Sequence, residues 1–493
     1  MKLRPIHILL IGWLSLQACN QKTPEELIDP KSDRALLLKL ELEVEGTTFS
    51  TSINETQIVL SDPLPFATKE IRIKTLELSP GATTDKKVGD TFHVDQSPIS
   101  IRVQAEDSLN QNNYRLYLNN QNQTHDFTTS DHYILHNGLV LPIKGVIYTP
   151  NYPGNYPWTI ERNNNLPPAY NNSILQDIRD IKEMGANTVR LWSPPPYTYR
   201  AIKKEGGLFF LQTIWIDTQA PDFQNATFKE QTKSYIREIV DRIYAVYTDQ
   251  KPPLIGYIIG NELKRSSIIA TNSAHPDITS YNGTYIQATD INASQAFLAE
   301  MADYVKQYAY NRYKNLSLVS YANEISTPDI IDVPFLDFRC HNAYSWLRPD
   351  LSYLSHIPLT TRGSRSGTLY QGWIEDQKAK YPDMPLLISE MGLSVAPDRS
   401  RTGPPNYGYG GNTETEQADA ILQNISDIQT ANLPLAGVCI HEYLDSWWKF
   451  GQVAGQESNQ TEEWFGLVQF VPENGWYKTE PREAYQRLKA LWK

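Results

Sequence analysis

A chain of 493 residues, 40% hydrophobic and 11% aromatic, is long enough to bury a large core and to form more than one domain. Its formal charge of −11, with no Lys/Arg-rich run, argues against non-specific nucleic-acid binding. The 29 Tyr and 11 Trp are a heavy load of rings, which serve cores and interfaces but also stack on sugars.

The N-terminus has the organisation of an export signal: Lys2 and Arg4, the short apolar run Ile8 to Leu16, then Leu16-Gln-Ala-Cys19. The last four residues resemble a bacterial lipobox, with Gln17 an unusual occupant of its position. The resemblance implies that residues 1–18 are a signal peptide and that Cys19 is lipidated and begins the mature chain. The alternative is an ordinary secretory signal with a chance Cys. Asn20, where an Asp would signal inner-membrane retention, points to a lipid anchor in the outer membrane of a Gram-negative cell, facing the periplasm or the surface. Residues 19–33 read as a polar tether. No later stretch is long and apolar enough to span a membrane.

Residues 34–119 read as all-β. Leu36, Leu38, Leu40, Leu42 and Val44 alternate, as do Ile71 and Ile73, then Ile99, Ile101, Val103 and Ala105. Pro80-Gly81 and Gly89-Asp90 mark turns, and Ile99 to Glu106 with Tyr114 to Leu118 predicts a hairpin. These short strands predict a small β-sandwich. The segment from Leu78-Ser-Pro-Gly to Ala105-Glu-Asp resembles the immunoglobulin-like or cadherin-like modules of bacterial surface lipoproteins. A spacer role is expected of it, and sugar binding is the alternative.

Residues 120–131 form a polar linker, and 132–493 form the second domain. Asn137-Gly138 is a two-residue hairpin signal between apolar runs. Strands and helices then alternate, the mark of βα units around a parallel sheet. The predicted strands are Lys144 to Thr149, Asn187 to Trp192, Leu208 to Ile216, Leu254 to Gly260, Leu316 to Tyr321, Phe335 to Cys340, Pro385 to Ser389 and Leu435 to His441. Amphipathic helices are predicted over Ile174 to Met184, Lys229 to Tyr247, Ala293 to Tyr313, Glu416 to Ala431 and Pro481 to Trp492. This is the pattern of an α/β fold, a (β/α)8 TIM barrel with insertions. Cys340 and Cys439 lie inside apolar strands and read as buried free thiols.

Two of these strands end in a carboxylate: Leu254-Ile-Gly-Tyr-Ile-Ile-Gly-Asn-Glu262 is the fourth and Pro385-Leu-Leu-Ile-Ser-Glu390 the seventh. Barrel chemistry is done at the C-terminal rim, and paired carboxylates there most often cleave glycosidic bonds. The surrounding motifs make the likeness specific. His136 to Tyr148, Gly185-Ala-Asn-Thr-Val-Arg-Leu-Trp192 and Ile259-Gly-Asn-Glu262 resemble the catalytic barrel of family 2 in clan A of the glycoside hydrolases. Ser320-Tyr-Ala-Asn323 and His341-Asn-Ala-Tyr344 are similar to segments of the family 72 β-1,3-glucanosyltransferases. Gly437 to Lys449 resembles the clan's eighth strand with its rim aromatics.

The resemblance implies a retaining β-glycoside hydrolase. Retention needs an acid that protonates the leaving oxygen and a carboxylate about 5 Å away that attacks the anomeric carbon. Glu262 is expected as acid/base and Glu390 as nucleophile, held ionised by Arg190 and Tyr344. Asn261 is expected on the sugar 2-hydroxyl. Trp192, Trp447 and Trp448 are the expected rim aromatics; of the last two, one would floor the sugar site and the other pack inward. Glu324, in Ala322-Asn-Glu324, competes as acid/base if the strand count slips by one, and otherwise contacts substrate or caps its loop.

Residues 149–170, with Tyr152, Tyr156, Trp158 and Tyr170, and residues 264–291 are expected to wall a cleft suited to a poly- or oligosaccharide. The family 72 likeness makes a β-1,3-glucan and transglycosylation the alternative; the family 2 likeness keeps β-galactosides, β-mannosides and β-glucuronides open. The scattered His residues show no metal-ligand spacing, no phosphate-binding glycine loop occurs, and no Gly-x-Ser-x-Gly elbow occurs, so neither metal nor cofactor is expected. The expected partners are a carbohydrate substrate and a membrane, not nucleic acid. The rival from another class is a non-catalytic sugar-binding surface lipoprotein that kept the barrel.

Overall fold

A computed structural model describes residues 32–493 apart from 55, 61–63, 65–67, 69, 94–98, 119–125, 347–360, 362, 399–403, 405–406 and 452. The predicted signal, most of the tether and Cys19 lie outside the described residues.

The first region is one eight-stranded sheet folded onto itself. Thr47–Asn54 makes the fold-over: its first half pairs with Glu41 to Val44 and its second half with Gln57–Leu60. The hairpin expected at its end is present as Ile99–Gln104 against Gln111–Tyr117. Leu40, Leu42, Val44, Ile71, Ile73, Ile101, Val103 and Leu116 fill the space between the layers. The alternation predicted from Leu36 fails at its start. Leu36 and Leu38 are exposed while Leu37 is buried. A register shift between Leu37 and Lys39 against Glu70–Leu78 is the cause, because an added residue in one strand turns every side chain before it to the other face.

Phe127–Thr129, Ile134–His136 and Leu139–Val140 form a small three-stranded sheet whose first strand falls within the predicted linker. Asn137 and Gly138 both have positive φ (51° and 78°), as a type I′ turn requires. Phe127 and Ile134 join the cluster of Ile143, Leu211, Leu318, Leu387 and Cys439, closing the floor of the barrel that follows.

Eight parallel strands close that barrel: β1 (Ile143–Tyr148), β2 (Thr188–Leu191), β3 (Phe209–Ile214), β4 (Leu254–Asn261), β5 (Leu318–Asn323), β6 (Arg339–Asn342), β7 (Leu386–Met391) and β8 (Gly437–Ile440). Each predicted strand is present. The sixth starts later than expected, because Asp337 turns the chain by accepting the Val319 N–H at 2.7 Å, so Phe335 to Phe338 are not strand. Among the described residues, the helices that pack outside the strands include α1 (Pro168–Glu183), α2 (Pro196–Glu205), α3 (Ala226–Tyr244), α4 (Ala293–Tyr313), α5 (Leu369–Lys380), α6 (Glu414–Gln429) and α7 (Glu483–Trp492). The chain from β5 to β6 makes turns instead of a helix. Cys340 and Cys439 are buried and free, and burial pushes their thiols up to about 11 and about 12.

Three rim positions break the ladder: β4 against β5 between Ile258 and Asn261, β6 against β7 at His341/Asn342, and β7 against β8 between Ile388 and Met391. Bulges at a barrel rim re-aim side chains. These three strand ends deliver Asn261 and Glu262, Asn342, and Glu390.

Candidate active site

Gly260 (φ 77°) and Glu262 (φ 53°) carry the bend at the end of β4. A left-handed conformation costs little at glycine and is uncommon at glutamate, so the turn that projects Glu262 is held by its surroundings. The Glu262 N–H donates to the Ala322 carbonyl at 3.0 Å, and the Tyr321 hydroxyl accepts the Leu263 N–H at 3.0 Å.

The site is then one hydrogen-bonded network. Arg190, on β2 and fully buried, donates through Nη1 to Glu390 Oε1 at 3.0 Å and through Nη2 to Asn261 Oδ1 at 2.7 Å. The Tyr344 hydroxyl donates to Glu390 Oε2 at 2.6 Å. Both Glu390 oxygens thus carry a donor, one of them cationic. Asn342 bridges to the other carboxylate: Nδ2 donates to Glu262 Oε1 at 2.8 Å, while Oδ1 accepts from Ser389 Oγ at 2.8 Å. That pairing fixes which way the Asn342 amide faces.

The two carboxyls sit in opposed environments. Burial, then the charge of Glu390, pushes Glu262 up to about 8 against the opposing pull of the Asn342 amide. Burial also raises Glu390, but the Arg190 guanidinium, the Tyr344 hydroxyl and Lys449 pull it back. Glu390 therefore ionises first and its charge keeps the proton on Glu262. One carboxyl holds its proton up to about pH 8 and the other ionises ahead of it, the division of labour that paired-carboxylate catalysis needs.

Further rim residues complete the surroundings. Trp192 lies 5.5 Å from the Arg190 guanidinium and meets His441 at 5.5 Å between rings. Beyond β8, Trp447 packs inward, edge-on against Phe470 and Tyr477 at 5.8 Å each. Trp448 is the one that lines an open cleft of about 500 Å³, together with Tyr156, Trp158, Lys449, Phe450 and Glu462. Glu324 does not join the pair: it accepts the Ser326 N–H at 2.7 Å and caps its own loop.

Of the two loops expected to wall a cleft, only part of the first does so. Tyr156 and Trp158 line it, whereas Tyr152 and Tyr170 are buried and packed on each other at 4.8 Å. Residues 264–291 fold into a helix, Arg265–Ala274, and a hairpin, Ser280–Asn282 with Gln287–Thr289. Asp303 of α4 accepts the Ile286 N–H at 2.9 Å and holds that hairpin against the helix.

No protein-family model matches the chain, and no curated protein does. Among solved structures it is similar to β-glucuronidase 2 of Bacteroides uniformis, at 14% identity and TM-score 0.51 over 86% of this chain and 48% of that one. The β-glucuronidase of Ruminococcus gnavus aligns at 14% identity and TM-score 0.50 over 92% of this chain and 67% of that one. A family 2 β-galacturonidase of Eisenbergiella tayi aligns at 16% identity and TM-score 0.48, over 92% and 72%. The likeness establishes the fold. The two β-glucuronidase alignments extend beyond the barrel into the β-region, so the arrangement of all-β region and (β/α)8 barrel is shared.

Four residues of the site escape a reading of strand ends. Asn342 connects the carboxylates and stands at a bulge no sequence period reveals. Glu442, just past β8, is buried, accepts from Ser446 Oγ at 2.7 Å, and is pushed up to about 7 by burial. Lys449 donates to Glu442 Oε1 at 3.2 Å and to Glu462 Oε2 at 3.3 Å. Asn342 carried a signal in its His341-Asn-Ala-Tyr344 segment, and Glu442 and Lys449 lie in the Gly437 to Lys449 segment without being singled out there; Glu462, in a short 3-10 turn, carried none.

Proposed function

We propose that this chain is a retaining β-glycoside hydrolase that acts on a poly- or oligosaccharide by double displacement. The observation that carries it is the asymmetric pair: Glu390 held as an anion by Arg190 and Tyr344, and Glu262 held protonated beside it. In the first step a Glu390 oxygen bonds to the anomeric carbon as the glycosidic C–O bond breaks, and Glu262 gives its proton to the departing oxygen. In the second, Glu262 takes a proton from water, the water oxygen bonds to the anomeric carbon, and the Glu390 ester bond breaks. Arg190 holds Asn261 as well as Glu390, which fixes the amide that meets the sugar 2-hydroxyl.

A β-1,3-glucan is the first substrate to try, on the resemblance of the fifth- and sixth-strand segments to the glucanosyltransferases. Attachment of the chain to a bacterial outer membrane through Cys19 belongs to the same proposal. Incubation with β-linked oligosaccharides of several linkages, with product lengths measured, tests it. Shortened products are expected from the wild type and none from Glu390→Gln. Wild-type turnover by that variant would remove Glu390 as nucleophile, and products longer than the starting chain would show transfer to a sugar instead of to water.

A further inference from the structure

The cleft lined by Trp448 has two rings held out in solvent: Trp158 is 57% exposed and Phe450 65% exposed. Large apolar groups gathered at an open groove mark a ligand surface. Trp158 is stacked on Tyr156 at 4.7 Å and 17°, which covers one face and fixes the plane of the other. Trp448 stands perpendicular to it, at 6.0 Å and 89°. Two flat walls at a right angle make a corner that takes the C–H face of a pyranose, with its hydroxyls turned outward.

The charged part of the lining is one ion pair, Lys449 with Glu462. The Lys449 ammonium lies 5.7 Å from the Trp448 ring and 5.8 Å from Trp192, the ring beside Arg190. It therefore joins the cleft to the carboxylate network. It is the one cation among the described lining residues, and Glu442 and Glu462 both hold it. Glu462 also accepts the Tyr409 hydroxyl. An anionic sugar entering here meets a carboxylate and no cation free to pair with it. An uncharged sugar brings no like charge, and its hydroxyls can donate to the Glu462 carboxylate.

We propose that this corner is a sugar subsite adjoining the cleavage point, and that it takes an uncharged pyranose of a β-linked chain and not a uronate. The proposal rests on the glycosidase reading and names its substrate class. The test is equilibrium binding to the full chain in detergent carrying Glu390→Gln, so that the probe is not consumed. The probes are β-1,3- and β-1,4-linked glucose tetrasaccharides and a β-linked tetrasaccharide containing glucuronate. At least one neutral probe binds, and the uronate probe binds about tenfold more weakly or worse. Trp158→Ala weakens the neutral probe about tenfold, the size of one lost ring-stacking contact, and Trp158→Phe restores most of it. Unchanged affinity in Trp158→Ala, equal or tighter binding of the uronate probe, or no binding of either neutral probe overturns the proposal. If Glu390→Gln stops turnover while Trp158→Ala binds normally, the subsite alone fails. If Glu390→Gln turns over normally while Trp158→Ala loses binding, the glycosidase reading alone fails.

Discussion

Glu262 and Glu390 are the same side chain given different protonation states by their neighbours. Glu262 receives one neutral amide donor, and Glu390 receives a guanidinium and a phenol. Glu262 works as an acid only while it holds its proton, and that proton leaves as pH rises through about 8. The expected kcat/KM therefore falls above about pH 8, with the acid limb set by Glu390. Glu262→Gln should lower the rate by roughly 10²–10⁴ on substrates with poor leaving groups and erase the alkaline limb. An alkaline limb that survives in Glu262→Gln at the same midpoint would assign it to another group. At this scale the sequence was readable where a residue ends a strand: Glu262, Glu390, Arg190, Asn261 and Tyr344 all enter one network. It was unreadable for Lys449 and Glu462, whose partners are fixed only by the folding of short 3-10 turns around the rim.

Elements show where periodicity carries and where it stops. The strands were legible because burial on both faces leaves an uninterrupted apolar run, as in β4, where every residue is buried. Helix α2 was missed because Pro194-Pro-Pro196 reads as a break, although a proline at the first turn begins a helix as readily. Helix α5 was missed because its buried residues, Tyr370 to Glu375, Gln377 and Lys378, form no stripe. Helix α1 holds a group that the pattern conceals altogether. Asp177 is buried between β1 and the helix, accepting from the Tyr148 hydroxyl at 2.9 Å and from Tyr152. Burial pushes it up to about 8 from an ordinary 3.8. The folded chain thus keeps this proton and the unfolded chain releases it. The stability it contributes is full below about pH 4 and is lost as pH rises through about 8. Asp177→Asn, which mimics the protonated acid, should flatten the melting temperature against pH relative to the wild type. Its advantage at pH 8 should be on the order of a few kcal/mol. Parallel curves for the two proteins from pH 4 to 8 would show that Asp177 is ionised in the fold.

At the scale of the molecule, the β-region and the barrel have separate hydrophobic cores, and the paired carboxylates lie in the second. Among the described residues the carboxylate network draws on the barrel alone, so the proposed anchoring and the proposed catalysis would be independent functions of one chain. No helix among the described residues is long and apolar enough to cross a membrane. Attachment by the route proposed here depends on Cys19. Cys19→Ser should move the protein from the membrane to the soluble fraction, since the export signal keeps its other parts and the acyl chains lose their attachment point. The released protein should cleave soluble oligosaccharides as the wild type does, because its carboxylate network is unchanged, while insoluble or cell-bound substrate is no longer met at the membrane. Fractionation in high salt separates lipid anchoring from adsorption by charge, which salt screens. Retention of Cys19→Ser on washed membranes under those conditions would show that another part of the chain holds it there.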